Sequence, residues 1–426
     1  MAFCTRRAAA IASFALATCS LAAAAEPVEA VYSLVRKEKP AVVETLRQLV
    51  GIESGSRDRE GLDRIAEVLK DRLAALGGQV ELVEAGADAV KLFDTPPRTG
   101  RTVVARFEGT GTRKIMLLAH MDTVYPSGTL AKRPFRIEGS RAYGPGVADE
   151  KGGVAVVVHA LAMLKDLGFR EYGMLTVLIN GDEELSTPSA RNLITRLAAQ
   201  HDVVFSCEPS PAPKDELALA TSGIAAATLT VRGRPAHAGV NPEDGRNALL
   251  ELAHQLLQTQ ALGDPSRGIK FNWTIASAGT TRNVIPDTAT ASADVRVRRI
   301  ADFDAVEQAF RAAIAKGHLV PDTQVEAAFE RRRPPLEVTE RSRALAKRAQ
   351  AISGELGRRL GLDESSKGAG TDAAFAALSG KPVVLENFGL MGFGYHSPDA
   401  EYVELDSIEP RLYLLTRLIM ESSRER

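Results

Sequence analysis

Three short apolar runs, Ile115-Met116-Leu117-Leu118-Ala119, Leu175-Thr176-Val177-Leu178-Ile179 and Val203-Val204-Phe205-Ser206, constrain this chain more than any other feature. Each has strand length and no internal polar alternation, which suits strands buried within an α/β sheet layered by helices. Gly153 to Leu167, rich in Val, Ala, Leu and Met, has the length and texture of a helix packed on that sheet. The runs end in His120-Met121-Asp122, Gly181-Asp182-Glu183-Glu184 and Cys207-Glu208-Pro209. Open α/β sheets hold ligands at the carboxyl ends of their strands, so all three endings are candidates for one site.

The 426 residues exceed what one small core organises, and two domains are expected. From Gly223 to Arg333 the pattern changes. Ala227-Thr228-Leu229-Thr230-Val231 and Ala289 to Val297 alternate as strands with one solvated face, with helical stretches at Asn247 to Gln260 and Phe303 to Lys316. The order strand, helix, strand, strand, helix predicts a smaller α+β domain at 223–333, inserted between catalytic segments 26–222 and 334–426. In the second segment a helix is expected from Ser342 and a strand at Pro382-Val383-Val384-Leu385.

Residues 1–25 read as a signal peptide: Arg6-Arg7, an apolar run from Ala8 to Leu21, then Ala23-Ala24-Ala25 before Glu26. A secreted, bacterial periplasmic protein is expected, free of the membrane after cleavage. Cys19 leaves lipidation as the alternative. Loss of the two arginines takes the formal charge from −1 to about −3, too mild to favour nucleic acid or an anionic surface. Of the cysteines only Cys207 would remain, so no disulfide within the mature chain is possible.

Taken singly, each candidate residue has an ordinary explanation. His120 suits a polar turn, Asp149 a helix N-cap, Glu183 and Glu184 a helix start, and His396 a glycine-rich loop, Gly392-Phe393-Gly394-Tyr395-His396. Together, two histidines and three carboxylates match a hydrolytic di-zinc centre, in which a carboxylate such as Asp149 can bridge ions about 3.5–4 Å apart. Asp122 is placed to fix the His120 tautomer, and one of the adjacent glutamates is free to take a proton.

Beyond these residues, His120-Met121-Asp122-Thr123-Val124-Tyr125, Tyr143-Gly144-Pro145-Gly146, Asp182-Glu183-Glu184, Phe271-Asn272-Trp273-Thr274-Ile275, Gly370-Thr371-Asp372-Ala373-Ala374 and Gly394-Tyr395-His396-Ser397 resemble the zinc aminoacylase and carboxypeptidase superfamily. That superfamily includes acetylornithine deacetylases and succinyl-diaminopimelate desuccinylases, and the nearest branch is the folate-hydrolysing glutamate carboxypeptidases. The resemblance runs from about Pro40 to Met420. It implies a zinc-exopeptidase-like catalytic domain with an inserted α+β domain that dimerises and acts as a lid. It also implies two Zn2+ per subunit: Asp149 bridging, His120 and Glu208 on one ion, Glu184 and His396 on the other. Glu183 becomes the general base toward a zinc-bridging hydroxide. His237, in Arg234-Pro235-Ala236-His237-Ala238-Gly239, is implied to reach the neighbouring subunit's site and steady the oxyanion, with Asn283 as a further substrate contact. Arg333 is implied to grip the substrate α-carboxylate, and its neighbours Arg331 and Arg332 leave that register open by one residue.

One departure bears on the substrate. Where glutamate carboxypeptidases carry a Lys and a Ser associated with the glutamate side chain, this chain has Glu216 and Ala218. Either Lys214 substitutes, or another C-terminal residue is preferred. An N-acyl-amino-acid deacylase or desuccinylase is the alternative within this chemistry; a non-catalytic periplasmic binding protein is the alternative outside it.

Overall fold

A computed structural model describes residues 26–425, so the signal-peptide reading of 1–25 lies outside the described residues. The main sheet has six strands in the order Gln79–Val83, Thr102–Glu108, Met174–Asn180, Lys114–His120, Val203–Ser206 and Val383–Leu385. The last four are mutually parallel, while the first two join in antiparallel fashion. The three apolar runs are therefore the central parallel strands, with their carboxyl ends side by side.

Alternation along these strands feeds two cores. Ile115, Leu117 and Ala119 pack into one layer and Met116 and Leu118 into the other, which is why the run shows no polar residues. The larger layer holds helices Glu29–Val50, Lys151–Asp166 and Ile408–Arg424, in mutual contact. The smaller holds Arg191–Ala198 and Ala373–Ala377. Among the described residues, no helix is long and apolar enough to cross a membrane.

The segment from Gly223 to Arg333 builds its own antiparallel sheet, in the order Lys270–Ala278, Thr288–Val297, Gly223–Arg232, Gln324–Arg333. Helices Ala248–Thr259 and Ile300–Ile314 pack with the face that carries Ala227, Leu229, Val231 and Val295. Ile224, Ala226, Ser292, Asp294 and Arg296 belong to the opposite face and line the cleft toward the catalytic domain. Gln324–Arg333 is a strand that sequence reasoning missed. Val325, Ala327 and Phe329 are only half-buried, Ala328 is exposed, and most of the other positions are Glu and Arg, which reads as a charged surface segment.

Candidate metal centre

The strand ends bring the site together. His120 is the last residue of its strand, and Glu208 lies two residues beyond Ser206. Glu183 and Glu184 occupy a single 3-10 turn three residues past Asn180. Asp149 precedes the Lys151–Asp166 helix, but the helix N-cap is Glu150 and no side chain caps it, so the Asp149 carboxylate is not spent on capping. Gly153 lets that helix approach the Glu208 strand end: a Cβ there would lie 2.0 Å from the Cys207 carbonyl oxygen. His396 comes from the loop after Met391–Phe393, with φ 62°, an uncommon left-handed conformation for a side-chain-bearing residue. Gly394 makes that turn possible, since its φ is 79° and a Cβ would sit 2.4 Å from the Ala400 carbonyl oxygen.

Two triads of ligand atoms result, His120 with Asp149 and Glu208, and Asp149 with Glu184 and His396, the atoms of each lying within 4.8 Å of one another. His120 Nε2 is 3.1 Å from Asp149 Oδ1 and 3.7 Å from Glu208 Oε1. His396 Nε2 is 3.3 Å from Asp149 Oδ2 and 3.2 Å from Glu184 Oε2. Each oxygen of Asp149 thus serves a different triad. Glu184 Oε1 is buried with no hydrogen-bond partner among the described residues, and an orphaned buried carboxylate oxygen is costly unless a cation meets it. Imidazole with carboxylate oxygens is a donor set that suits zinc among other divalent metals, and the residues fit a pair of divalent ions.

The electrostatics point the same way. Burial, reinforced by the Asp149 charge, pushes Glu184 up to about 7 and Glu208 well above the usual carboxylate range. Burial opposes charging of His120, but Asp122 and Asp149 outweigh it and hold the imidazole well above its ordinary value. Hydrogen bonds to Asp149 and Glu184 lift His396 to about 10. A buried site this rich in acid is relieved by positive charge.

Supporting residues fix the ligands. The Asp122 carboxylate accepts the backbone N–H groups of Glu183 and Glu184 at 3.0 and 3.1 Å and lies 3.3 Å from His120 Nδ1, so one buried group sets both the imidazole and the acidic turn. Glu401, which sequence reasoning missed, accepts N–H groups of Gly146, Ala148 and Asp149 at 2.9–3.1 Å and holds the Asp149 loop. Its only sequence signal is its position five residues past His396.

Glu183 is buried, and burial raises its carboxyl well above the ordinary range although the Arg333 charge opposes this. Arg333, expected to face substrate, is itself 3% exposed. It lies 2.9 Å from Glu183 Oε1, and it donates to Asp372 Oδ1 at 2.7 Å and to the Glu183 carbonyl at 2.9 Å. Asp372 is the second residue missed: it belongs to the Gly370-Thr371-Asp372 motif and also accepts Asn180 Nδ2 at 2.6 Å.

A cleft of about 670 Å3 opens from Asp149, Glu183, Glu184, Glu208 and His396 to the inserted sheet, where Arg296, Arg332 and Arg333 line it. Arg332 pairs with Asp94 at 3.0 Å and Arg296 with Asp294 at 2.9 Å. Glu216 and Ala218 do not line this cleft, and neither does Lys214; Glu216 is held by Lys367 at 2.5 Å. His237 and Asn283 are exposed and adjoin one another, the N–H of Ala238 donating to the Asn283 carbonyl at 2.9 Å, yet neither lines the cleft of its own chain. His237 Nδ1 accepts the N–H groups of Gly239 and Val240, both at 3.1 Å, which leaves Nε2 as the donor of the neutral ring.

The fold and this centre define a metallopeptidase, and the chain belongs to peptidase family M20/M25/M40, whose model matches residues 116–421. It is a hydrolase of the carboxypeptidase kind. It is 44% identical to carboxypeptidase G2 of Pseudomonas sp. (strain RS-16) over 384 residues, 90% of each chain. It is 30% identical to succinyl-diaminopimelate desuccinylase of Maricaulis maris over 73% of this chain and 82% of the relative. In three dimensions it resembles a family M20 metallo-carboxypeptidase from Sulfolobus solfataricus, with a TM-score of 0.72, 16% identity, and coverage of 90% of this chain and 99% of the other.

Proposed function

We propose that this protein is a di-zinc metallocarboxypeptidase that hydrolyses the amide bond joining an acyl group to a C-terminal amino acid, folate or N-acyl-glutamate substrates included. The observation that carries this reading is Asp149, whose two oxygens serve separate His-carboxylate triads. His120, Glu208 and Asp149 would hold one ion and Asp149, Glu184 and His396 the other. When bound, such ions polarise the amide carbonyl and lower the pKa of water. Glu183 takes the water proton and returns it to the leaving amine, with Arg333 fixing its orientation. The substrate carboxylate lies toward the wall of Arg296, Arg332 and Arg333.

The inserted domain forms a homodimer in this reading. Supporting it, Leu249, Leu250 and Leu257 on the Ala248–Thr259 helix and Ile275 on the outer strand are exposed. His237 of one subunit then completes the other subunit's site, donating from Nε2 to the developing oxyanion, with Asn283 beside it. The signal-peptide pattern in the sequence of 1–25 supports export to the periplasm.

Glu216 pairs with Lys367, and neither it nor Lys214 lines the cleft, so these two positions neither repel nor attract a terminal glutamate side chain. The test is hydrolysis by zinc-loaded enzyme of one aroyl group coupled to glutamate, aspartate, alanine, leucine and phenylalanine. Turnover of several members of this panel is expected. Failure on all of them, with cleavage of N-acetyl or N-succinyl amino acids, would shift the assignment to the deacylase reading; binding without hydrolysis of either set would support a binding protein.

A further inference from the structure

Arg332 is the penultimate residue of the Gln324–Arg333 strand, next to the point where the inserted domain returns to the catalytic domain through Pro334-Pro335. Its side chain is only 11% exposed although it lines the interdomain cleft, because all three guanidinium nitrogens are engaged by the protein. Nη2 donates to both oxygens of Asp94, at 3.0 and 3.1 Å, and lies 3.4 Å from the Leu185 carbonyl. Nη1 donates to Glu330 Oε1 at 3.1 Å and Nε to the Ser186 hydroxyl at 3.3 Å. Asp94 belongs to the 84–101 connection of the catalytic domain, which contains no helix or strand. The same connection meets the inserted strand a second time: the Phe93 N–H donates to Glu330 Oε2 at 2.9 Å, and the Phe93 ring lies 5.1 Å from the Arg332 guanidinium carbon. The Asp94 carbonyl in turn accepts Arg57 Nη2 at 2.9 Å.

The Leu185 and Ser186 contacts place Arg332 at the end of the turn that carries Glu183 and Glu184. That turn leaves through an uncommon backbone: Ser186 and Thr187 have φ 67° and 55°. The left-handed region disfavours residues with side chains, a β-branched Thr above all, and such residues persist only where their neighbours hold them. From the catalytic domain, Arg191 donates to the carbonyls of Ser186 and Thr187, and Asp372 accepts the Thr187 hydroxyl. Arg332 adds a hold from the inserted domain, and Asp94 fixes where its fork points. Resting on the proposed function, we propose that Arg332 is a positioning residue: anchored by Phe93 and Asp94, it orders the acidic turn and so places Glu183 and Glu184 for the reaction. Its charge remains part of the arginine wall, while its donors are spent on the protein and not on the substrate. The arrangement requires a planar fork, since the single nitrogen of a lysine cannot meet Asp94, Glu330 and Ser186 together.

The test uses Arg332→Ala, Asp94→Ala and the conservative Asp94→Glu in zinc-loaded protein. Two readouts are taken: hydrogen exchange at the amides of Glu183 to Thr187, with the Lys151–Asp166 helix as internal reference, and kcat and KM on the aroyl-amino-acid panel. Both alanine variants are expected to speed exchange in the turn about tenfold with the reference helix unchanged, and to lower kcat about tenfold with KM within about twofold of wild type. Asp94→Glu is expected to bring both readouts back to within about threefold of wild type. Turn exchange within about twofold of wild type in both alanine variants overturns the proposal, as does equal acceleration in the reference helix. A KM raised about tenfold at unchanged kcat in Arg332→Ala also overturns it, because that is the signature of a direct substrate contact. An enzyme that cleaves no member of the panel contradicts the proposed function, and the exchange readout still decides whether Arg332 orders the turn.

Discussion

The metal centre and the His237 turn are both candidate parts of one active site, yet they are built in opposite ways. The five candidate ligands are carried by the catalytic domain, at or near strand ends, and are pinned by buried groups such as Asp122 and Glu401. His237 and Asn283 sit exposed on the inserted domain and do not line their own chain's cleft. The first region is complete within one chain; under the proposed function the second acquires its role through another copy. In the proposed homodimer, that contrast separates chemistry that folding alone organises from chemistry that assembly must organise.

The largest expected effect tests the self-contained half. Glu183→Gln keeps an oxygen for Arg333 but removes the base, so kcat should fall by at least about 10³-fold while metal content is unchanged. Near-normal turnover would remove Glu183 from the mechanism. His237→Ala should lower kcat by about 10²-fold, the scale of losing one oxyanion donor. Mixing that variant with Glu183→Gln sharpens the contrast: if His237 acts across subunits, the mixed dimer regains one intact site, whereas a His237 acting within its own chain gives no recovery. A smaller effect is expected from Ile275→Asp on the exposed edge strand, which should shift sedimentation toward monomer and lower activity several-fold at dilute enzyme, with recovery at higher concentration. Unchanged sedimentation would place the subunit contact elsewhere.

The same contrast explains what the sequence made legible. Ile115 to Ala119, Leu175 to Ile179 and Val203 to Ser206 announced buried strands because both faces of the sheet are covered, and a ligand type following each was visible without coordinates. Helices at Lys151–Asp166 and Ala248–Thr259 also fell close to the expected ranges. The Gln324–Arg333 strand was hidden because one side faces charge and solvent. Glu401 and Asp372 were not assigned roles because their partners, the Gly146–Asp149 amides and Arg333, are distant in the chain and carry no periodic signal. Arg333 illustrates the limit of resemblance alone: it stands at the expected place, but it is buried against Glu183 and Asp372, so its first effect is on the base. Breaking such a buried pair costs about 3–5 kcal/mol, so loss of activity on substitution of Arg333 has to be read together with stability.

In the proposed centre Asp149 joins two metal sites, and metal stoichiometry shows whether it does. Chelated protein reloaded with zinc, freed of excess and analysed by elemental mass spectrometry should carry two ions per chain. Glu184→Gln and Glu208→Gln should each retain about one, and Asp149→Ala close to none, with all three variants folded by circular dichroism. One ion per wild-type chain, or two ions retained by folded Asp149→Ala, would rule out a shared Asp149 bridge.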